Sequence, residues 1–233
     1  MTLQEKYDYV LKYFAKTMPD AKTELEYKTP FGLLIAVILS AQCTDKVVNQ
    51  VTPALMKKYP TPQKMMKATH DEIFELIRKV TFARSKANYL IGTATQLAEE
   101  YKGKIPEDHE ALQRLPGVGR KTASVVMSAI FGAPFLAVDT HVFRVSARVG
   151  LTRNAINPLQ TEQQLLKFIP PKLVPVAHHW LLLHGRYTCT ARAPKHHLCG
   201  LRDVCDYFKK EVKILPPVKT AKEKSTKKNV KDL

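Results

Sequence analysis

From Ser85 to Tyr101 the apolar residues return at helical spacing: Ala87, Leu90, Ile91, Ala94, Leu97, Ala98 and Tyr101 keep one face for about four turns. Residues 71–80 repeat the pattern with Ile73, Leu76, Ile77 and Val80. No segment sustains the two-residue alternation of a half-buried strand. The periodicity therefore predicts an all-α chain. A capping residue followed by proline marks helix starts at Thr29-Pro30 and Thr61-Pro62, and Asp45 and Asp71 fall in other first turns. Phe31–Gln42 is apolar nearly all round, which predicts a buried central helix. Cys43, at its end, reads as a small buried hydrophobe.

The 233 residues suffice for one large domain or two small ones, and a hydrophobic content of 45% is enough for a real core. Intrinsic disorder is excluded on the same ground. The net charge of +16 points to an anionic partner, either nucleic acid or an acidic membrane. A basic tail does not account for it. Pro216–Leu233 carries six lysines against Glu223 and Asp232, a net of +4, so most of the excess lies on the body. After about Leu215 the composition turns to Pro, Lys, Thr and Ser, as in a flexible tail. The longest apolar run, Phe31–Leu39, is too short to span a bilayer, and Met1–Lys16 has no secretory pattern. The expectation is a soluble intracellular protein. Cysteines in that compartment argue for a metal or a reactive thiol rather than disulfides.

The most informative stretch is Leu115-Pro116-Gly117-Val118-Gly119-Arg120-Lys121-Thr122-Ala123. A short helix over about 108–114 ends at the Pro-Gly turn, and the Gly-Val-Gly opens the next helix, which runs to about Phe131. Glycines let the backbone approach a partner closely, and free N–H groups at a helix start hold phosphate. Such a clamp grips a DNA backbone without reading sequence. The plainer reading of Gly-x-Gly is a packing turn. Lys121 sits in the first turn, where the positive helix end and Arg120 both disfavour an ammonium and favour the nucleophilic amine. Further on, Asp139 opens a helix with an apolar interior of Val142, Val145 and Val149. It reads either as an N-cap or as a carboxylate that assists proton transfer or stabilises a sugar cation.

Near the C-terminus stands Cys189-x6-His196-x2-Cys199-x5-Cys205, with His197 as an alternative to His196. By ligand type, three cysteines and a histidine suit a structural zinc, while iron–sulfur clusters usually take four cysteines. Arg186, Arg192, Lys195 and Arg202 make the surrounding loop basic.

Together these residues resemble the endonuclease III family of the helix-hairpin-helix DNA glycosylases, over nearly the whole chain to about residue 212. The resemblance rests on Leu33–Asp45, Leu115–Ala123, Val138–Val145 and His178–Cys189. It implies a six-helix barrel domain over 22–132 and an iron–sulfur cluster domain built from 1–21 and 133–212. DNA would lie in the cleft between them, and 213–233 would be a flexible basic tail. It also implies a bifunctional glycosylase and abasic-site lyase of base excision repair. The substrate would be double-stranded DNA containing oxidised pyrimidines or abasic sites, and the protein a monomer in a bacterial cytoplasm, associated with the nucleoid.

The resemblance further implies the chemistry. The damaged nucleotide leaves the stack, because its sugar carbon is unreachable inside a duplex. Lys121 attacks C1′ and displaces the base, and Asp139 helps deprotonate the lysine or stabilises charge on the sugar. The resulting Schiff base permits β-elimination 3′ to the abasic site. Gln42 would fill the space left by the flipped base, and Phe82, at the second wedge position, would stack between bases. Ordinary loop and core packing is the plainer reading of both. Leu115, Gly117, Val118, Gly119 and Arg120 would grip the DNA backbone, with Arg192 and Lys195 adding charge. The cofactor would be a 4Fe–4S cluster on Cys189, Cys199 and Cys205. Members of the family place a fourth cysteine where this chain has His196, so His196 is the expected fourth ligand, with zinc or an incomplete cluster as alternatives. A non-catalytic hairpin DNA-binding module is the competing function, in which Lys121 and Asp139 are surface and capping residues.

Overall fold

The computed structural model describes residues 1–214. The tail expected over 213–233 therefore lies outside the described residues, save for its first two positions. Among the described residues the regular structure is helical throughout, with no strand.

The helices follow the sequence closely. In chain order they are α1 (Leu3–Thr17), α2 (Pro30–Ser40), α3 (Asp45–Lys58), α4 (Pro62–Met65), α5 (His70–Ile77) and α6 (Ala83–Glu100). Then come α7 (His109–Arg114), α8 (Arg120–Phe131), α9 (Thr140–Val149), α10 (Pro158–Leu166), α11 (Val174–Tyr187) and α12 (Asp206–Ile214). Thr29 and Thr61 cap α2 and α4 ahead of their prolines, each hydroxyl accepting a first-turn N–H. Thr44 and Thr69 cap α3 and α5, placing Asp45 and Asp71 in the first turns. The central helix α2 buries Phe31 through Leu39 on all sides.

That helix ends at Ser40, two residues earlier than the apolar pattern predicts. Its last carbonyls find other donors: the Ser40 hydroxyl bonds Val37 O at 2.8 Å, and Cys43 N–H bonds Ser40 O at 3.0 Å. The chain turns there, leaving Gln42 outside the helix.

The buried side chains form two apolar cores. One runs from Leu25 to Met127 and centres on α2, with α3, α5, α6 and α8 around it. The other joins Tyr7, Val10 and Phe14 of α1 to residues between Leu136 and Cys205. Polar ties hold α1 to this second core. Tyr7 Oη donates to Leu151 O at 2.8 Å, and Trp180 Nε1 donates to Met18 O at 2.8 Å. Lys6 Nζ bonds Asp206 Oδ1 at 2.6 Å and Val149 O at 3.0 Å. No helix among the described residues is long and apolar enough to cross a membrane.

Candidate active site and cysteine loop

The hairpin is packed from beneath. Leu115 and Val118 turn their side chains into the first core, so only their backbone is available to a partner. Val118 N–H closes the turn on Leu115 O at 3.1 Å. Gly117 has φ +76°, and a Cβ there would stand 2.8 Å from the Tyr89 Cβ, so this turn demands glycine twice over. Thr93 Oγ1 donates to Pro116 O at 2.6 Å and pins the turn to α6. Gly119 then caps α8 with no side chain to take up its first-turn N–H groups. That open positive end suits an anion. Arg120 is not simply a free cation beside it: Nη2 lies 3.1 Å from each carboxylate oxygen of Glu162 on α10.

Lys121, exposed in the first turn of α8, and Asp139 line one cleft between the two cores, together with Gln42, His178 and Arg186. Asp139 is an N-cap: Oδ1 accepts from His141 N at 2.9 Å and Val142 N at 2.8 Å. Oδ2 takes no part in those bonds, so capping and chemistry are compatible in one carboxylate. His178 is buried behind Asp139 and donates Nδ1–H to Ala137 O at 2.7 Å, fixing the strand of chain that delivers the aspartate. Burial pushes the His178 imidazolium down from its ordinary range. Burial and the neighbouring His178 push His179 down to about 4.

Among the described residues four non-glycines have a positive φ, Gln42 and Phe82 as well as Lys102 and Asn154. Gln42 and Phe82 have φ +54° and +58°, the left-handed region that non-glycine residues seldom enter. Gln42 lies at the cleft, and Phe82 is 61% exposed at the head of α6. Phe82 is thus no part of the core. Cys43 is half-buried, packing against the first core while lining the cleft.

An ion cluster crosses the cleft beside them. Arg186 of α11 donates to Asp45 Oδ2 of α3 at 2.7 Å and to Glu24, which also accepts from the Tyr187 hydroxyl. Sequence reasoning had seen in Arg186 only a basic neighbour of the cysteines and in Asp45 only a helix start. The acid partners lie 141 and 162 residues away, so no local pattern announces them. Nothing in the sequence assigns a role to His178 or His179.

The cysteine loop hangs on α9. Arg148 donates to Thr190 O at 2.7 Å and Ala191 O at 2.8 Å, and Arg144 donates to Cys189 O at 3.1 Å and Gly185 O at 2.8 Å. Cys189, Cys199 and Cys205 line one small cleft with His196. Arg148 Nη1 donates to Cys189 Sγ at 3.5 Å, and His184 Nε2 lies 3.7 Å from Cys199 Sγ. Three soft sulfur ligands beside an arginine donor suit an iron–sulfur group in kind. The geometry is looser than the chemistry. Among the described residues no three such side chains stand at metal-holding separation. His196 Nε2 instead lies 2.6 Å from Glu211 Oε2, off the line of a hydrogen bond. Arg192 and Lys195 are exposed on this loop.

Known proteins share these features. The sequence model of the HhH-GPD superfamily base excision DNA repair protein matches residues 35–171, and that of the iron–sulfur binding domain of endonuclease III matches 189–205. Endonuclease III of Rickettsia conorii is 45% identical over 199 residues, 85% of this chain and 94% of the relative. That of Escherichia coli is 44% identical over 201 residues, 86% and 95% of the two chains. A trapped endonuclease III–DNA covalent intermediate superimposes with a TM-score of 0.84 at 43% identity, over 91% of this chain and all of that one. A thermostable thymine-DNA glycosylase shares the fold, with a TM-score of 0.80 at 23% identity over 88% and 98% of the two chains.

Proposed function

This chain belongs to the endonuclease III family of HhH-GPD base excision DNA repair proteins, and from that premise we propose how its own residues act on duplex DNA. It is a base-excision-repair DNA glycosylase and abasic-site lyase; a non-catalytic hairpin module is not favoured. The substrates are oxidised pyrimidines and the abasic sites they leave, and the working form is a monomer. The reading divides the chain into a six-helix domain over 22–132, in which the one-turn α4 stands beyond the six, and a second domain over 1–21 and 133–212, which the two apolar cores support.

One observation carries the catalytic assignment. Lys121 stands in an uncapped helix start directly after the hairpin, and the cleft it lines also holds Asp139. A phosphate held on the first-turn N–H groups of α8 fixes the strand beside the lysine. Lys121 Nζ attacks C1′ of the flipped nucleotide, and the bond to the base breaks with its electrons leaving on the base. Asp139 Oδ2 takes the proton from Nζ or faces the positive charge growing on the sugar. The imine formed with the opened sugar acidifies the 2′ carbon, whose proton loss expels the 3′ phosphate. Gln42 and Phe82 fill the duplex where the nucleotide was, which their exposure and left-handed backbones support.

An iron–sulfur cluster belongs to the cysteine loop. Cys189, Cys199 and Cys205 would hold it, with His196 as fourth ligand; Arg192 and Lys195 then face the DNA backbone. Bound there, it would stiffen the loop, and no proton or electron of the repair reaction passes through it.

The test is borohydride trapping on an abasic-site duplex. Wild type is expected to give a covalent protein–DNA adduct, and Lys121→Ala none. Equal trapping by both proteins, or by neither, overturns the assignment.

A further inference from the structure

Lys86 is a buried cation that the reaction does not use. It sits one turn into α6, 4% exposed, and no carboxylate among the described residues pairs with it. Its ammonium instead donates to Leu39 O at 2.8 Å and Ala41 O at 2.6 Å. Those carbonyls bracket the end of α2, where the helix dipole is negative and favours a cation. Ala41 leads directly into Gln42. At the other end of the same residue, the Lys86 backbone N–H donates to Phe82 O at 3.0 Å. One residue thus touches the chain beside both left-handed tips.

The geometry points to Lys86 as the positioning residue that fixes Gln42 and Phe82 relative to each other, so that both enter the duplex as one rigid pair. This rests on the reading of those two residues as the DNA wedge. The local backbone argues that the tether is needed. Gln42 and Phe82 occupy a sparsely populated region that persists only where surroundings hold the backbone there. α2 ends without a glycine cap, so the tip depends on hydrogen bonds from outside the helix. The same helix α6 also grips the hairpin through Tyr89 and Thr93. The lysine therefore ties the wedge to the element that sets the DNA clamp.

The experiment is a double-mutant cycle. Excision from a duplex carrying thymine glycol is measured for wild type, Lys86→Met, Gln42→Ala, Phe82→Ala and the two doubles with Lys86→Met. Borohydride trapping on a single-stranded abasic oligonucleotide, which needs no wedge, is the second readout. Lys86→Met keeps the apolar stem and removes the donors. It is expected to slow duplex excision by about 10²-fold, as for a misplacement of about 1 Å, with trapping nearly unchanged. In the Gln42→Ala background the added loss shrinks to less than about threefold, because coupled residues are not additive. A purely structural lysine gives additive losses and weakens trapping equally, and that result overturns the proposal. Should Lys86→Met prove too unstable to purify, Lys86→Gln, whose amide can donate to one carbonyl, takes its place in the cycle. If Gln42→Ala and Phe82→Ala leave duplex excision unchanged, the wedge reading itself fails, and the Lys86 proposal with it.

Discussion

Gly185 of α11 lies against His141 of α9 so closely that a Cβ added to it would stand 2.8 Å from the His141 Cβ and 3.0 Å from Val145 Cγ2. These two helices carry much of the site. Asp139 caps one, and His178 and Arg186 ride on the other. Gly185→Ala forces them apart. Overpacking of this kind costs about 1–3 kcal/mol, read as a Tm lower by several degrees. Catalysis should fall by more than stability alone explains, because Asp139 moves with α9. An unchanged Tm would show that the contact yields freely.

One substitution separates the capping role of Asp139 from the catalytic role proposed for it. An asparagine keeps an oxygen to accept from His141 and Val142 N–H, and Asn caps helices about as well as Asp. Asp139→Asn should therefore melt close to wild type while base excision drops by about 10²-fold or more. Asp139→Ala should lose the same activity and a further ~1 kcal/mol of stability. If the asparagine variant retains full excision, the aspartate is only a cap.

Several helices were legible because their starts carry a signal: Thr29-Pro30, Thr61-Pro62 and Asp139 all cap where their chemistry says. The hairpin and Lys121 were legible for the same local reason. What stayed hidden is what distance in sequence hides. Arg120 meets Glu162 across 42 residues, which turns a supposed free charge into half of an ion pair. Lys86 meets α2 across 47 residues and looks, in sequence, like any surface lysine between Ser85 and Ala87. The early end of α2 was hidden too, because Ala41 and Gln42 are compatible with helix and only the donors around Ser40 turn the chain. The left-handed backbones of Gln42 and Phe82 stayed hidden as well, since neither is a glycine whose type would announce a positive φ.

His179, half-buried beside His178, makes stability depend on pH in a defined direction. Burial and the neighbouring His178 push His179 down to about 4 in the folded protein, from an ordinary value of 6.5. A depressed folded value means the unfolded chain binds the proton first. The contribution is whole above pH 6.5 and is lost as pH falls from 6.5 towards 4. Between pH 7 and pH 5 it amounts to about 1–2 kcal/mol after allowance for partial exposure. Urea unfolding of wild type and His179→Gln at the two pH values isolates it: the variant should lose less stability on acidification. Parallel pH slopes for the two proteins would rule the effect out.

The last prediction concerns His196, where a cysteine would complete the cluster set. An imidazole is a neutral, weaker ligand to iron than a thiolate, and here it is drawn towards Glu211 and packed against Phe208 at 4.9 Å between ring centroids. An iron held there would be the one most easily lost. His196→Ala is expected to bind iron and sulfide on Cys189, Cys199 and Cys205 alone, with the absorbance and electron spin resonance of a three-iron cluster. His196→Cys should retain its iron longer than wild type against a chelator, since it restores a fourth thiolate. Glycosylase and lyase rates need not follow, because Lys121 and Asp139 lie in another cleft. If His196→Ala and wild type lose iron at the same rate, the histidine is no ligand. Tightly held zinc in place of iron, found by elemental analysis of the freshly purified protein, would overturn the cluster itself.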